Sequence, residues 1–405
     1  MTYRTSIGLE VHVQLQTRTK MFCACPTAFG AAPNTQVCPV CLGYPGSLPV
    51  INREAIRLTV MAGLLLGCRI NPRSKFDRKN YFYPDMPKNY QITQYDQPLC
   101  LGGELSIERG GRPFPVRLNR IHLEEDVGKS MHGARQSRVD FNRAGLPLLE
   151  LVTEPDLESP EEAFAFLLAL KQILVYGQVS PCNLEEGNLR CDVNCSLRPE
   201  GRAALGTKIE IKNMNTFKGV FQALTYELGR QAEVLGGGGH IVQETRRFDS
   251  DRGVTEPMRT KEEAHDYRYF PDPDLPPVVL SDAQVEAWRG LLPELPRQRC
   301  ERLAREYALP DYDARVLCAD KAVADFFEAT ARLAANPKAV SNWIMTEMLR
   351  LLAERGLDIG RARITPAALA DLIRLVETNA VNAAAAKIVF ARLFESGGEP
   401  GPLVE

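Results

Sequence analysis

The clearest alternation of apolar and polar positions lies near the start of the chain, in the segment IGLEVHVQL at residues 7–15. Every second residue is apolar, which predicts a strand that buries one face. Glu10 and His12 fall on the opposite face, about 7 Å apart along the strand. A carboxylate and an imidazole at this spacing are typical of the start of a divalent-metal site, but a half-exposed strand with ordinary polar residues gives the same pattern. The apolar set comprises Ile7, Leu9, Val11, Val13 and Leu15.

Four further segments repeat this arrangement and add charged residues to the expected sheet. In RIHLEEDVGK, Glu125 falls among the apolar residues, and Glu124 falls on the polar face. In PLLELVTEPDL, Glu150 likewise interrupts an apolar face. Burying a bare carboxylate costs several kcal/mol, so both anomalies predict a partner. The segments NLRCDVNCSLRP and TKIEIKNMNTF place Asp192 and Glu210 on polar faces. Together the strands predict a sheet whose polar face carries the functional residues.

Two helices have recognisable starts. Ser159 is a predicted N-cap, with Pro160 at the first helical position and Glu162 completing a capping box before an apolar run to about Tyr176. A second helix is predicted over residues 216–235, where a run of four glycines ends it.

The composition changes beyond Arg297, where the chain becomes rich in Ala, Leu and Arg with helical periodicity and no convincing strand. This change predicts two domains, residues 1–295 and residues 296–405. The expected fold class is α+β, with a sheet domain followed by an all-α helical domain.

Composition sets the class of protein. The chain has 405 residues, 44% of them hydrophobic and 25% charged, with a net charge of −2, as in ordinary soluble proteins. It contains no apolar run near the ~20 residues that cross a bilayer and no signal-peptide core at the N-terminus. We therefore expect a cytoplasmic protein without a membrane partner, in which any nucleic-acid contact depends on local basic patches.

The chemistry of the polar face favours a hard cation. Carboxylate oxygens and one imidazole suit Mg²⁺ or Mn²⁺ better than Zn²⁺, and carboxylate-held magnesium near lysines is typical of phosphoryl transfer from ATP. No GxxxxGK[ST] loop is present, which disfavours the common nucleotide folds. The other four histidines have no partner at ligand spacing, and we expect surface or supporting roles for His122, His132, His240 and His265.

The segment DRKNYFYPDMPKNYQITQYDQ at residues 77–97 combines two lysines with several aromatic residues. Lys79 and Lys88 are candidates to meet phosphate. The tyrosines are candidates to stack on a base or ribose, although a plain aromatic surface loop is the alternative. These tyrosines are Tyr81, Tyr83, Tyr90 and Tyr95.

Four of the eleven cysteines form two close pairs, Cys23 with Cys25 and Cys38 with Cys41. In a reducing compartment this spacing predicts a closed tetrahedral zinc site within an insertion near residues 23–41, and a structural role rather than a catalytic one. A set of free thiols is the alternative.

These segments together resemble one family, the B subunits (GatB) of the bacterial aspartyl/glutamyl-tRNA(Asn/Gln) amidotransferases. The resemblance is carried by the strand and loop segments quoted above, by CPVCLGYPGSLPV, HLEEDVGKS and DFNRAGLPLLELVTEPDL, and by TEPMRTKEEAHDYRYFPDPDLPP. It covers essentially the whole chain.

The resemblance implies a cradle domain similar to the glutamine synthetase/guanido kinase fold, built on an antiparallel sheet. It implies a heterotrimer with the amidase subunit GatA and the small subunit GatC. Such a complex uses ATP to activate Glu or Asp misacylated onto tRNA(Gln) or tRNA(Asn), and then amidates it with ammonia from glutamine. The C-terminal tail resembling YqeY is expected to be absent, because the segment VETNAVNAAAAKIVF replaces a Gly/Ser-rich helix and the sequence ends at GPLVE.

The resemblance also assigns residues by position. The implied magnesium ligands are Glu10, His12, Glu124, Glu125 and Glu150, and the implied zinc ligands are the four paired cysteines. The implied catalytic residues are Glu10, Lys79, Lys88, Glu125, Asp192 and Glu210. Contacts to phosphate, nucleotide or acyl group are implied for Lys79, Lys88, Asp192, Glu210 and Asn213. Two other functions compete with this interpretation, namely a glutamine-synthetase-like ligase acting on a free amino acid and a non-catalytic zinc-stabilised RNA-binding scaffold.

Overall fold

The computed structural model describes residues 2–133, 135–184, 186–260 and 266–404. It divides into two compact units, Met1–Pro293 and Glu294–Glu405, which we call the sheet unit and the helical unit. The sequence-based division lies between residues 295 and 296. Within the described ranges, no helix is long and apolar enough to cross a membrane.

The sheet unit contains strands β1 to β17 and helices α1 to α4. The strands are β1 (Tyr3–Gln14), β2 (Arg69–Ile70), β3 (Arg73–Ser74), β4 (Asp77–Asn80), β5 (Tyr90–Thr93), β6 (Cys100–Leu101), β7 (Glu104–Arg109), β8 (Arg112–Glu125), β9 (Lys129–His132), β10 (Ser137–Asp140), β11 (Pro147–Thr153), β12 (Leu189–Pro199), β13 (Ile209–Lys212), β14 (Glu244–Asp249), β15 (Val254–Thr260), β16 (Phe270–Pro271) and β17 (Val278–Val279). The helices are α1 (Arg53–Leu65), α2 (Pro160–Tyr176), α3 (Phe217–Gly236) and α4 (Asp282–Arg289).

The main sheet of the described residues has ten strands, in the order β15-β14-β13-β12-β1-β11-β8-β6-β2 with β7 paired to β8. Strand β1 lies between β11 and β12 and is antiparallel to both. The expectation of an antiparallel sheet is wrong at one place, because β13 and β14 pair in parallel. Helix α3 connects these two strands, and a crossover helix returns the chain in the same direction. The sheet is therefore mixed, within an α+β fold.

Strand β1 buries every second residue, as the alternation in the sequence predicts. Ile7, Leu9, Val11 and Val13 are at most 1% exposed, so the apolar face lies in the core. Residues at the alternate positions lie on the opposite face, where the neighbouring strands also present charged side chains.

Helices α2 and α3 are confirmed at the predicted positions. Ser159 Oγ accepts a hydrogen bond from Glu162 N at 3.2 Å, and Pro160 occupies the first helical position. The predicted capping box is incomplete, however, because Glu162 Oε2 accepts from Glu158 N and its carboxylate also binds Arg109. The side chain that would close the box is thus held by an arginine instead.

The helical unit contains α5 to α12 and no strand among its described residues. The helices are α5 (Pro296–Glu306), α6 (Asp311–Cys318), α7 (Lys321–Ala331), α8 (Pro337–Trp343), α9 (Leu349–Arg355), α10 (Pro366–Glu377), α11 (Ala383–Ser396) and α12 (Gly401–Val404), with a π-helix at Ile344–Met348 and a 3₁₀-helix at Ile359–Arg361. Its core is built around fully buried residues such as Phe327, Leu369 and Phe390.

Candidate functional site

Four side chains from three adjacent strands meet on the polar face of the sheet. The register of β1 against β11 places His12 opposite Glu150, and β8 contributes Glu124 from the next strand. His12 Nε2 lies 3.4 Å from Glu150 Oε2, 3.8 Å from Glu124 Oε1 and 3.9 Å from Glu10 Oε1. We call Glu10, His12, Glu124 and Glu150 the carboxylate cluster.

The carboxylate cluster carries more negative than positive charge and is largely buried. Both properties shift the pKa values of its members. Burial, reinforced by the nearby Glu150 carboxylate, raises the pKa of Glu124 to about 7. Burial opposes the ionisation of Glu150 as well, but His122 and His12 outweigh it and hold its pKa well below the ordinary value. Burial alone would lower the pKa of His12, yet the hydrogen bond to Glu150 and the surrounding carboxylates raise it to about 9. A divalent cation would relieve this imbalance of charge.

The donor set fits a hard divalent cation. Single ligand atoms of His12, Glu124 and Glu150 all lie within 4.8 Å of one another, and the same holds for Glu10, His12 and Asp192. Carboxylate oxygens with one imidazole are donors that Mg²⁺ and Mn²⁺ accept. The two groups share His12, so the cluster extends across β1 from β8 to β12.

His122 is a member of this site that the sequence-based interpretation left without a partner. It is only 4% exposed, and its Nε2 lies 3.5 Å from Glu150 Oε2 and 3.9 Å from Glu124 Oε2. Burial lowers its pKa to about 4, so the ring is neutral at physiological pH. Its place on the same strand face as Glu124 was the signal that could have included it. His132 is exposed and bonded to Ser137 at 2.9 Å, His240 is exposed, and His265 lies outside the described residues.

Lysines border the cluster on two sides. Burial would lower the pKa of Lys79, but Glu124 and other nearby acidic groups raise it, so this ammonium stays charged beside the carboxylates. On the other side, Lys212 Nζ lies 2.5 Å from Asp192 Oδ2 and 3.1 Å from Glu210 Oε1. The two carboxylates therefore fix the position of a charged lysine.

Three other predicted site residues lie outside the carboxylate cluster. Glu125 forms an ion pair with Lys88 and accepts a hydrogen bond from Ile92 N at 2.9 Å. Glu124 and Glu125 are adjacent on β8, and successive side chains on a strand point to opposite faces. The structure therefore brings Glu125 and Lys88 together, but not into the carboxylate cluster. Asn213 is exposed just after β13, with φ +70° and its Nδ2 donating to Phe248 O at 3.2 Å.

A second candidate metal centre is formed by the paired cysteines. One sulfur from each of Cys23, Cys25, Cys38 and Cys41 lies within 4.8 Å of the others. Cys38 N donates to Cys41 Sγ at 3.2 Å, and the fully buried Lys20 places its Nζ 3.5 Å from the same sulfur. The hydrogen bond from Cys23 is the main cause that lowers the pKa of Cys41 to about 4. These four cysteines can hold a metal ion with no protein ligand position left open.

Comparison with known proteins supports the resemblance over both units. A family model described as the GatB/GatE catalytic domain matches residues 5–286. The chain is 53% identical over 406 residues to the B subunit of the aspartyl/glutamyl-tRNA(Asn/Gln) amidotransferase from Thermoanaerobacter pseudethanolicus, covering all of this chain and 86% of the relative. It is 51% identical over 410 residues to the protein of the same name from Geobacter sp. strain M21, again covering 100% and 86%.

The expectation that the YqeY-like tail is absent is wrong. A second family model, described as the GatB domain and named for YqeY, matches residues 325–405. The segment that suggested otherwise spans the end of α10 and the start of α11, where Asn382 caps the helix by accepting from Ala385 N at 2.9 Å. Alanine has the highest helix propensity, so an alanine-rich sequence builds this helix without the glycines and serines that were expected. With both units matched, the chain belongs to the GatB/GatE family.

Proposed function

We propose that this chain is the subunit of a tRNA-dependent amidotransferase in which the side-chain carboxylate of Glu or Asp, esterified to tRNA, is activated and amidated. The observation that carries this proposal is the carboxylate cluster on one face of the main sheet, with Lys212 of the same sheet and Lys79 of β4 beside it. In glutamine-dependent amidation of this kind, a carboxylate oxygen attacks the γ-phosphorus of ATP and ADP leaves. Ammonia then adds to the acyl carbon, the C–O bond to phosphate breaks, and the amide forms as a proton is lost.

The carboxylate cluster would hold Mg²⁺ through His12, Glu124 and Glu150. When bound, this ion would screen the negative charge of the transferring phosphoryl group. The buried positions of Glu124 and Glu150 fix the ligand atoms in advance and exclude water. Glu10 has a side chain that is 31% exposed and a pKa raised mainly by burial, so we assign it to accept the proton lost when ammonia adds.

The lysines would orient the anionic groups. We assign Lys79, which is charged and adjacent to the cluster, to contact the phosphates of ATP. Lys212 is held by Asp192 and Glu210, which gives these two carboxylates the role of positioning a cation next to the reacting groups. We assign Asn213, which directly follows β13, to contact the acyl group or nucleotide. Lys88 and Glu125 form a buried pair behind this face, and we assign them to support of β8 and its Glu124.

Zinc is the ion we propose for the four cysteines, with a structural role because all four positions are filled by protein sulfur. The amidotransferase would assemble with an amidase subunit, GatA, that releases ammonia from glutamine, and with the small subunit GatC. Its nucleic-acid substrates would be Glu-tRNA(Gln), Asp-tRNA(Asn) or both.

Replacement of one shared ligand tests the proposal. In the assembled amidotransferase, His12→Ala should lower amide formation on Glu-tRNA or Asp-tRNA at least about 100-fold, together with the ATP hydrolysis that the charged tRNA stimulates. His132→Ala is the matched control, since His132 is exposed and lies outside the cluster. Amide formation by His12→Ala within threefold of the parent would contradict the proposal. ATP turnover stimulated by free glutamate without tRNA would instead indicate a ligase for a free amino acid.

A further inference from the structure

A cavity lined by aromatic rings opens next to Lys79 and is not used by the chemistry above. It has a volume of about 460 Å³ and lies between the end of β4 and residues 266–268. We call it the aromatic pocket, and its rings are Tyr81, Phe82, Tyr83 and Tyr267.

The two sides of the aromatic pocket are fixed to each other although they are distant in sequence. Asn80 N donates to Tyr267 O at 2.9 Å, and Asn80 Nδ2 donates to Arg268 O at 2.8 Å. Tyr81 packs edge-on against Tyr267, with ring centroids 6.4 Å apart. The pocket is therefore held open by hydrogen bonds and ring packing, so a ligand would meet a largely formed site.

Two of its rings present large areas to solvent. Phe82 is 73% exposed and Tyr83 is 54% exposed. Tyr90, in the same segment at residues 77–97, is instead covered by the Arg78 guanidinium, which lies 4.3 Å from the centroid of its ring. Exposed adjacent aromatic rings are costly to leave in water and are typical of binding sites.

Lys79 connects the aromatic pocket to the carboxylate cluster. Its Nζ lies 4.9 Å from the centroid of the Tyr267 ring, and its strand β4 pairs with β5, whose Thr93 Oγ1 donates to Glu124 Oε2 at 3.3 Å. A planar group stacked in the pocket would thus have its attached anionic or acyl part directed towards the reacting face. The rim carries Arg268 and Asp266, both exposed, which offer a donor and an acceptor to the edges of such a group.

We propose that the aromatic pocket binds an unstacked nucleobase, whose attached phosphate or ester reaches the carboxylate cluster past Lys79. This inference rests on the proposed function, which supplies two sources of such a base, the adenine of ATP and the terminal base of the tRNA acceptor end. Aromatic stacking suits both because every base has a π-face and needs no sequence readout.

A fluorescent base distinguishes the sources. In the assembled amidotransferase, 2-aminopurine is placed either at the 3′ end of the tRNA or in a riboside triphosphate used in place of ATP. If the fluorescence of one probe is quenched on binding and the double variant Phe82→Ala/Tyr83→Ala relieves that quenching, the proposal is supported. The probe that responds identifies the source of the base. Absence of variant-sensitive quenching with both probes overturns it.

Kinetics give a second readout with a matched control. The double variant should raise KM about tenfold for the source that stacks and leave KM for the other within twofold. Phe82→Tyr should retain the parent KM, because the ring is kept. Tyr312→Ala removes a ring that is 71% exposed in the helical unit and should change neither constant. Unchanged KM for both substrates in the double variant overturns the proposal, whereas unchanged activity in His12→Ala would overturn the proposed function instead.

Discussion

The carboxylate cluster of the sheet unit and the buried carboxylates of the helical unit have different neighbours. In the helical unit, Glu328 forms ion pairs with Arg299 and with Arg302, the latter at 2.8 Å. Glu347 in the same unit lies 2.9 Å from Arg350 and 2.8 Å from Lys387. In the sheet unit, Glu124 and Glu150 instead face His12 and each other.

The difference appears in the pKa of Glu124, because Glu150 has a lowered pKa like the carboxylates of the helical unit, His122 and His12 outweighing its burial. Burial would raise the pKa of Glu328, but the hydrogen bonds from Arg302 and Arg299 lower it, and the hydrogen bond from Lys387 lowers the pKa of Glu347. The pKa of Glu124 is raised to about 7, because burial and a like charge act together. Buried carboxylates thus indicate a ligand site when their neighbours leave negative charge uncompensated, and a structural role when arginines and lysines compensate it.

The largest expected effect is a loss of activity when the carboxylate cluster is changed. Glu150→Gln removes the carboxylate that contacts both His12 and His122. We expect amide formation in the assembled enzyme to fall about 1,000-fold, since metal-assisted charge stabilisation supplies several kcal/mol, while the melting temperature stays within a few degrees of the parent. The assay is product formation on charged tRNA at saturating ATP and Mg²⁺.

Glu108→Gln, at an exposed position on β7, is the control and should be as active as the parent. If Glu150→Gln retained more than a tenth of the parent activity, the carboxylate cluster would not be the metal site, and the distinction between the two sets of carboxylates would lose its functional meaning.

The cysteine cluster extends the comparison to thiols. Cys41→Ser removes one of the four sulfurs proposed to hold zinc, and we expect loss of about one bound zinc per chain together with a melting temperature lower by roughly 5–10 °C. Metal content is measured by mass spectrometry and unfolding by calorimetry. Cys300→Ser, at a part-buried position in the helical unit, should keep the metal. Equal metal content in Cys41→Ser and the parent would show that these sulfurs are free thiols.

Much of the site could be read from the sequence because local patterns determine it. The period-2 alternation of β1 specifies which face carries Glu10 and His12, and the spacing of the four cysteines indicates one shared centre. The capped start of α2 is also a local property, set by Ser159 and Pro160.

The remaining features depend on contacts between distant segments. The partner of Glu125 depends on the fold, because Lys88 belongs to a loop 37 residues away in the sequence. The parallel pairing of β13 with β14 depends on where α3 returns the chain. His122 gains its role only when β11 brings Glu150 beside it. Alternation along one strand cannot supply any of these pairings.

A moderate effect tests the compensated carboxylates. Glu328→Gln removes the carboxylate shared by Arg299 and Arg302 and leaves the buried Arg299 with Asp325 alone, so we expect a loss of about 3 kcal/mol in the free energy of unfolding. Since the folded pKa of Glu328 is below the unfolded value of about 4.3, its contribution is present above that pH and is lost as pH falls through the folded value. Chemical denaturation at pH 7 and at low pH measures both effects.

The exposed ion pair of Glu301 with Arg297 is the matched control for this change. Glu301→Gln should alter stability by less than about 0.5 kcal/mol. A loss in Glu328→Gln no larger than in Glu301→Gln would mean that the buried pair is not a structural element.

The smallest expected effect is an unchanged or slightly higher stability, in contrast to the loss expected for Glu328→Gln. Glu124→Gln removes a carboxylate that burial and Glu150 already disfavour in its ionised form. In protein dialysed free of magnesium, we expect the free energy of unfolding at pH 8 to stay level or rise by up to about 1 kcal/mol, because a like charge is removed from a site kept for function rather than stability. Glu104→Gln, exposed on β7, should have no effect. A loss of about 3 kcal/mol in Glu124→Gln, similar to that expected for Glu328→Gln, would show that Glu124 has the same structural role as the buried carboxylates of the helical unit. Added Mg²⁺ should stabilise the parent but not the variant, since only the parent retains the full ligand set.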